Sequence, residues 1–335
     1  MTERKLCVIG GDGIGPDVTQ AAVRVLLAAT SDVVVSHADA GWGTFCEQGD
    51  SVPKETLQHI RQAGAALFGA VSSPSKKVEG YRSAILKIRQ SLNLYANLRP
   101  VKGSWHDQGD ESIDLLIVRE NSEGLYVGKE EQKDGWAKAE KIVTRSASFR
   151  IGQAAGKAAN QRAAQKVTVV HKANVLSLSD GMFRDAARQA LQEEYPQLQV
   201  NEGLVDIVAH NLIAQPNSFD VLVTTNLYGD ILSDLAAYWC GGMGRAPSIN
   251  LGDGVAVAEP VHGSAPDIAG QGIADPSATI LSLVLLCRHY WNDESLARRM
   301  EDATVQTIRE FGAKAKDDFS TVGFTDQVVK NLSTS

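Results

Sequence analysis

No two of the four cysteines, Cys7, Cys46, Cys240 and Cys287, lie close enough to form a C-x-x-C pair. The chain thus offers neither a disulfide framework nor a cysteine zinc site, and its thiols suit a reducing compartment. Excess positive charge is also missing: 33 Lys and Arg stand against 40 Asp and Glu, a formal net charge of −7. Nucleic-acid binding needs a basic footprint that this balance lacks. A local arginine cluster can still bind an anion inside an acidic protein. The apolar run Ile280 to Cys287 falls far short of the roughly 20 residues of a membrane span. Near the start, the strand-like run Leu6 to Ile9 is broken by Gly10 and Gly11, unlike a signal peptide. Internal repeats and low-complexity linkers are absent. The expectation is a cytoplasmic protein with neither nucleic-acid nor membrane partners.

What the chain does have is alternation. Lys5–Ile9, Asp32–His37, Ala65–Ala70, Ile113–Val118, Val167–Val170 and Val221–Thr225 are strand-like apolar runs. Helix-like stretches separate them, beginning with Val18–Ala29 behind Pro16, a residue favoured in a first helical turn. Buried strands alternating with helices predict an α/β fold with a largely parallel core sheet. A length of 335 residues suits about two domains. The loop-like stretch Gly103–Ser112 and the glycine-rich Gly241–Gly254 mark places where the chain leaves one domain and returns. The expected division is 1–100 with 250–335 in one domain and 101–249 in the other.

Several motifs carry chemistry. Gly11-Asp12-Gly13-Ile14-Gly15-Pro16 follows a strand and opens a helix. Its spacing is G-x-G-x-G, and Pro16 removes an amide a pyrophosphate would use, so it is read either as a phosphate loop or as a tight turn. Arg89, Arg99 and Arg119 suit a di- or tricarboxylate if their guanidinium forks converge; each taken singly is equally a salt-bridge partner. Asp230 and Asp234, four apart, share one face of a helix and offer hard oxygens to Mg²⁺ or Mn²⁺. Alone, such a pair is a solvated face; Ile231, Leu232 and Leu235 beside it argue otherwise. Lys172, just past an apolar strand, is a candidate general base, and Tyr126 a candidate proton donor.

Together the segments GDGIGP (11–16), LYANLRPVK (94–102), VRENSEGLY (118–126), HKANVL (171–176), TNLYGDILSDLAA (225–237) and EPVHGSAPDIAGQGIADP (259–276) resemble the isocitrate, 3-isopropylmalate, homoisocitrate and tartrate dehydrogenases. They span almost the whole chain in the expected order. The resemblance implies an isopropylmalate-dehydrogenase-like fold, not a Rossmann fold, with two α/β domains of parallel and mixed sheet. It implies an interdomain site completed by a second subunit, hence a homodimer or larger homo-oligomer. By the same resemblance Arg89, Arg99 and Arg119 hold the malate-like part of a hydroxy di- or tricarboxylate. Asp230 and Asp234 bind the metal with Asp206 of the other subunit. Tyr126 and Lys172 are the acid–base pair, and Asn174 touches substrate and nicotinamide. His262, Gly263, Ser264, Ala265, Pro266, Asp267, Ile268 and Asp275 line the cofactor. Two departures stand out. Asp275 replaces the family's usual Asn, and Ala315–Ser320 replaces a Thr-Pro-Asp-Leu-Gly-Gly-like stretch.

Substrate choice is expected from the helix before Arg89. Ser72-Ser73-Pro74, Val78–Tyr81 and HKANVLSLSDGMFRD (171–185) look like homoisocitrate dehydrogenases. Ser83 stands where isocitrate enzymes bond a third carboxylate, with Ser73 as an aid. Ile85 disfavours isocitrate. Ile85 and Leu86 would form an apolar pocket in an isopropylmalate enzyme, whereas Arg82 suits a third carboxylate. The resulting expectation is homoisocitrate to 2-oxoadipate, a step of lysine biosynthesis through aminoadipate. 3-Isopropylmalate (leucine biosynthesis) and isocitrate are the alternatives, and a non-catalytic regulatory subunit is the reading outside enzymes. NADP-dependent isocitrate enzymes carry Lys-Tyr where this chain has Asp267-Ile268. A carboxylate there accepts hydrogen bonds from free ribose hydroxyls and repels a 2′-phosphate. NAD should therefore support turnover with a kcat/KM at least about tenfold above that of NADP. Steady-state rates with each nucleotide check this, and a preference for NADP would refute it.

Overall fold

Aliphatic and β-branched runs form the strands, and the carboxyl ends of those strands carry the candidate residues. The structure is a computed structural model describing residues 3–76, 78–312 and 319–333. Ala315–Asp318, part of the divergent C-terminal stretch, lies outside the described residues. The chain divides into two compact units. A terminal unit comprises Met1–Leu94, Gly103–Asp110 and Cys240–Ser335; a central unit comprises Tyr95–Lys102 and Glu111–Trp239. The divisions thus fall at 94/95 and 239/240 rather than at 100 and 250. Gly103–Asp110 belongs to the terminal unit, so the chain changes unit at both of its ends.

The terminal unit begins with β1 (Arg4–Gly11), α1 (Gly15–Ala29), β2 (Val33–His37), α2 (Trp42–Gln48), α3 (Lys54–Ala63), β3 (Ala65–Ala70) and α4 (Ala84–Ser91). The central unit holds β4 (Ala96–Lys102), β5 (Asp114–Glu120), the hairpin β6 (Glu130–Lys133) and β7 (Trp136–Ala139), α5 (Arg145–Gln161), β8 (Lys166–His171), α6 (Ser179–Glu194), β9 (Gln199–Leu204), α7 (Val205–Ala214), β10 (Val221–Thr224) and α8 (Asn226–Ala236). The terminal unit resumes with β11 (Pro247–Gly252), β12 (Val255–Pro260), α9 (Ser277–His289), α10 (Glu294–Gly312) and α11 (Thr321–Leu332).

Strand order in the terminal unit is β2-β1-β3-β12-β11, parallel except for the β11–β12 pair. In the central unit it is β4-β5-β10-β8-β9, parallel except for β4–β5. The fold class is therefore mixed α/β. The central register aligns Arg119, Thr224, Val170 and Gly203 in one row near the carboxyl ends of the parallel strands, with Asn97, at the start of antiparallel β4, beside Arg119. Ligand sites of open α/β sheets lie at such ends.

The apolar run Ile280–Cys287 is the middle of α9, whose residues Ser277–Cys287 are all buried. A helix apolar on every side belongs in a core, and no helix among the described residues is long and apolar enough to cross a membrane. Ile85 packs into a terminal-unit core cluster with Ile88, Leu92 and Phe68. It therefore faces the core, which corrects its expected place in a substrate pocket beside Leu86.

Asp293 fastens α10 to the first strand. Its Oδ1 accepts the Leu296 N–H at 2.9 Å, capping the helix, and its Oδ2 accepts Arg4 Nη2 at 2.8 Å. The Leu296 amide and the Arg4 guanidinium hold this carboxyl below the usual carboxylate range. Its stabilising contribution is full above the unfolded carboxyl pKa and lost as pH falls through the depressed folded value. Asp293→Ala should cost about 1 kcal/mol at pH 7. Asp293→Asn should cost less, since it keeps the cap and loses only a partly exposed pair. Urea unfolding at pH 7 and at successively lower pH should show the Asp293→Ala deficit shrinking with acidification.

Candidate active site

Arg119 ends β5 and is only 1 % exposed. A buried guanidinium requires acceptors, and two residues supply them through three hydrogen bonds. Its Nε and Nη2 donate to Asn226 Oδ1 at 3.0 and 2.7 Å, and its Nη1 donates to Asp230. Asn226 is held in turn, since its Nδ2 donates to Glu123 O at 3.0 Å. Arg99 lies on β4 and is also buried. Its Nε donates to Asn97 Oδ1 at 2.8 Å, and its Nη1 reaches Ser233 Oγ at 2.6 Å and Asp234 Oδ1 at 3.2 Å. Its Nη2 is 3.5 Å from Asp230 Oδ1. Two arginines from β4 and β5 thus meet two carboxylates from α8.

Tyr126 completes the group. Its hydroxyl donates to Asp230 Oδ2, and Arg119 Cζ lies 5.0 Å from its ring centroid. Burial first, then the bond to Asp230, pushes the phenol pKa up, so Tyr126 carries its proton at neutral pH. Burial also raises the Asp234 carboxyl, with Arg99 opposing the shift and Asp230 adding to it. Leu232 is buried, whereas Ile231 is 56 % exposed. The carboxylates keep their outer edges open to solvent, Asp234 more than Asp230. Hard oxygens in that position suit Mg²⁺ or Mn²⁺. Among the described residues no group of three His, Cys, Asp or Glu side chains that could hold a metal is found; Asp230 and Asp234 supply two carboxylates.

Lys172 and Asn174 sit in the turn after β8. Lys172 Nζ donates to Asp206 Oδ1 of α7 at 2.5 Å, and this bond lowers the Asp206 carboxyl pKa. Asn174 is exposed, as is Asp206. Candidate residues thus stand at or just beyond the carboxyl ends of all four parallel strands of the central unit: Arg119 near the end of β5, Lys172 after β8, Asp206 after β9, and Asp230 with Asp234 after β10.

The terminal unit shows the same economy at the ends of β1, β3 and β12. Ile14 N donates to Ser264 O at 2.8 Å, and Ser72 Oγ to Ser264 Oγ at 2.8 Å. Asp12 accepts the N–H groups of Trp42, Gly43 and Ser72 at 2.8–2.9 Å. Gly13 has φ +58°, and a Cβ there would lie 2.0 Å from Ser264 O. The glycine-rich run is therefore a tight turn whose own carboxylate uses the nearby amides. Ser73 is exposed, and the Tyr81 hydroxyl beside it donates to Ser72 O at 2.8 Å. Ser83 is the N-cap residue of α4, beside an exposed Arg82. Arg89 Nη2 donates to Glu259 Oε1 at 2.5 Å, while its Nε is buried without a partner.

In the loop after β12, His262 Nδ1 is 2.9 Å from Gly263 O, and its Nε2 is buried and unpaired. Burial lowers the His262 pKa. The neutral ring, with its proton placed on Nδ1 by that contact, presents an acceptor to an incoming donor. Gly263 has open space around it, Pro266 and Asp267 are exposed, and Ala265 has φ +35°. Ile268 packs with Ala265 on Ile14 and Val18. Asp275 is occupied elsewhere: Oδ1 accepts the Ser277 N–H at 2.9 Å at the start of α9, and Oδ2 lies 3.5 Å from Arg245 Nε.

Sequence reasoning did not single out Asn97, Asn226 and Ser233, which hold the arginines, nor Glu259, the partner of Arg89. Only Asn226 carried a signal, as the first residue after an apolar strand.

A sequence profile described as "Isocitrate/isopropylmalate dehydrogenase" matches residues 5–332. The chain is 46% identical over 331 residues to the isocitrate/homoisocitrate dehydrogenase of Thermus thermophilus, covering 98% of each. It is 45% identical over 316 residues to the 3-isopropylmalate dehydrogenase of Methanothermobacter thermautotrophicus, covering 92% of each. The crystal structure of isocitrate dehydrogenase from Methylococcus capsulatus superposes with a TM-score of 0.90 at 38% identity, covering 98% of this chain and 99% of that one.

Gly229 allows the close approach of α8 to β5. A Cβ there would fall 2.4 Å from Thr224 Oγ1 and 2.6 Å from Arg119 Cγ. Gly229→Ala should destabilise the protein by about 1–3 kcal/mol through overpacking. Arg119 must shift, so activity per folded molecule should also fall. Denaturant titration and active-site titration together check both effects.

Proposed function

The chain belongs to the isocitrate/isopropylmalate dehydrogenase family, the β-decarboxylating dehydrogenases, and from that premise we propose that it oxidises and decarboxylates a 2-hydroxy-3-carboxy acid with NAD and Mg²⁺ or Mn²⁺. The observation that carries this reading is the meeting of Arg99 and Arg119 with Asp230 and Asp234. Arg89, Arg99 and Arg119 bind the substrate carboxylates. Asp230 and Asp234 hold the cation, with Asp206 of a second copy as the third carboxylate. When bound, the cation polarises the oxygen on C2 and the nicotinamide accepts the hydride from that carbon. Lys172 takes the proton of the C2 hydroxyl. Tyr126, protonated at neutral pH, returns a proton to C3 after the 3-carboxylate has left as CO₂. The loop His262–Ile268 and Asp275 serve the dinucleotide, Asn174 reaches substrate and nicotinamide, and Ser73 and Ser83 reach the distal end of the substrate.

A second copy of the chain is part of this reading. Val175, Leu178, Ile207, Ile213, Ile231 and Tyr238 of the central unit are exposed, and exposed apolar surface of this kind marks a contact face. Lys172 and Asp206, beside that face, act on the neighbouring copy's site. The terminal unit is then the cofactor side and the central unit the metal and subunit-contact side. The cysteines are free, which suits the cytoplasm.

Homoisocitrate is the proposed substrate, with 2-oxoadipate the product and lysine biosynthesis the setting. Exposed Arg82 at the start of α4 supplies a charge for the third carboxylate. 3-Isopropylmalate is the second reading. Leu86, three residues before Arg89 and half-buried, offers an apolar contact on the Arg89 face of α4. The purified single chain, assayed with NAD and Mg²⁺, should use homoisocitrate with a kcat/KM at least about tenfold above 3-isopropylmalate or isocitrate. A preference for isopropylmalate would replace the substrate reading. Absence of turnover on all three, and on tartrate and malate, would point to a regulatory subunit.

A further inference from the structure

Asp180 is completely excluded from solvent, and the reading above gives it no task. It lies in the first turn of α6, eight residues beyond Lys172. A carboxylate without water survives only when paired and hydrogen-bonded. Here two donors from two segments of the central unit each take one of its oxygens. Oδ2 accepts the backbone N–H of Lys172 at 2.8 Å. Oδ1 accepts the ammonium of Lys141, from the segment before α5. Lys141 Nζ in turn lies 4.8 Å from the Tyr228 ring centroid. Tyr228 belongs to the first turn of α8, two positions before Asp230.

The turn bearing Lys172 is braced from its other side as well. The N–H groups of Val175 and Leu176 donate to Lys172 O at 3.0 and 2.8 Å. Ala173 N–H donates to His171 Nδ1 at 3.1 Å, which leaves the His171 proton on Nε2, 3.3 Å from Glu202 Oε2. Asp180 N–H donates to Leu176 O at 3.0 Å. Backbone bonds thus shape the turn, and the Asp180 side chain joins it to Lys141, whose ammonium rests against the Tyr228 ring of α8.

We propose that Asp180 is a positioning residue, whose buried carboxylate locks the Lys172 turn and helix α8 into one fixed arrangement so that Lys172 is presented where proton transfer occurs. This rests on the reading of Lys172 as the base. Asp180 touches neither substrate nor cofactor in this account and acts through Lys172, and through Lys141 on Tyr228. Its contribution is geometric: a shift of about 1 Å in a catalytic group costs on the order of 100-fold in rate.

Asp180→Asn tests this in the full-length enzyme. The amide keeps the shape and one acceptor, loses the charge opposing Lys141, and presents a donor to groups that are themselves donors. The expected result is a kcat lowered about 10- to 100-fold per folded site. KM for substrate and for NAD should stay within about threefold, Mn²⁺ binding by EPR titration should be retained, and the solvent isotope effect on kcat should rise. Unchanged kcat per folded site, or a raised KM with normal kcat, overturns the proposal. If Asp180→Asn does not fold, Tyr228→Leu decides. It removes the ring against which Lys141 rests while leaving Asp180 and Lys141 in place, and it should show the same split at smaller amplitude; a normal kcat refutes the proposal. Lys172→Met separates the two claims. Near-normal turnover by Lys172→Met removes Lys172 as the base, and this inference with it. An inactive Lys172→Met beside a fully active Asp180→Asn overturns the Asp180 inference alone.

Discussion

A guanidinium buried almost completely, that of Arg119, sets the terms for the central unit. Its desolvation is tolerable only with acceptors, and both that it finds, Asn226 and Asp230, bind it to helix α8. Asn226 begins α8 and is itself bonded to Glu123 O. Asp230 lies one turn further along α8. Tyr126 covers the face of the guanidinium and bonds the same aspartate. The helix can approach this closely because position 229 lacks a Cβ. Removing any one of these partners leaves the others with an unmatched charge.

The same constraint explains why the carboxylates remain available. Asp230 and Asp234 bring two negative charges to one helical face, where they repel each other. Arg99 and Arg119 offset that repulsion from the sheet side, and the outer edges of both carboxylates stay open. An oxygen-preferring cation and an anionic substrate complement such an arrangement in charge. The protonated Tyr126 beside them is held in that state by burial and by its bond to Asp230. Electrostatics therefore selects both the ligands and the protonation state of a nearby donor.

The two units use one device at different strand ends. In the central unit, parallel strands deliver Arg119, Lys172, Asp206 and the α8 aspartates. In the terminal unit, β1, β3 and β12 end in loops knitted together by Asp12, Ser72 and Ser264. The loop's own amides at Asp12, Ile14 and Gly15 are taken by Ala70 O, Ser264 O and Asp12 O, which makes the glycine-rich start a tight turn. Asp275 likewise serves the start of α9 and Arg245, so its carboxylate already has a structural employment.

Much was legible beforehand. The apolar runs at 5–9, 65–70, 113–118, 167–170 and 221–225 are strands, and Arg99, Arg119, Tyr126, Asp230 and Asp234, candidates from residue type and family resemblance, lie together. Those are local properties, carried by periodicity and by what stands just past a strand. The direction in which Ile85 faces, the partners of each arginine, and the role of Asp180 were not legible. Asn226 lies 107 residues from Arg119, and Ser233 lies 134 from Arg99. Spacing along the chain carries no information about such distances. Chain order and residue chemistry settled the kind of site, whereas packing alone decided which acceptor holds which charge, because a buried charge takes its partners from whatever the fold places beside it.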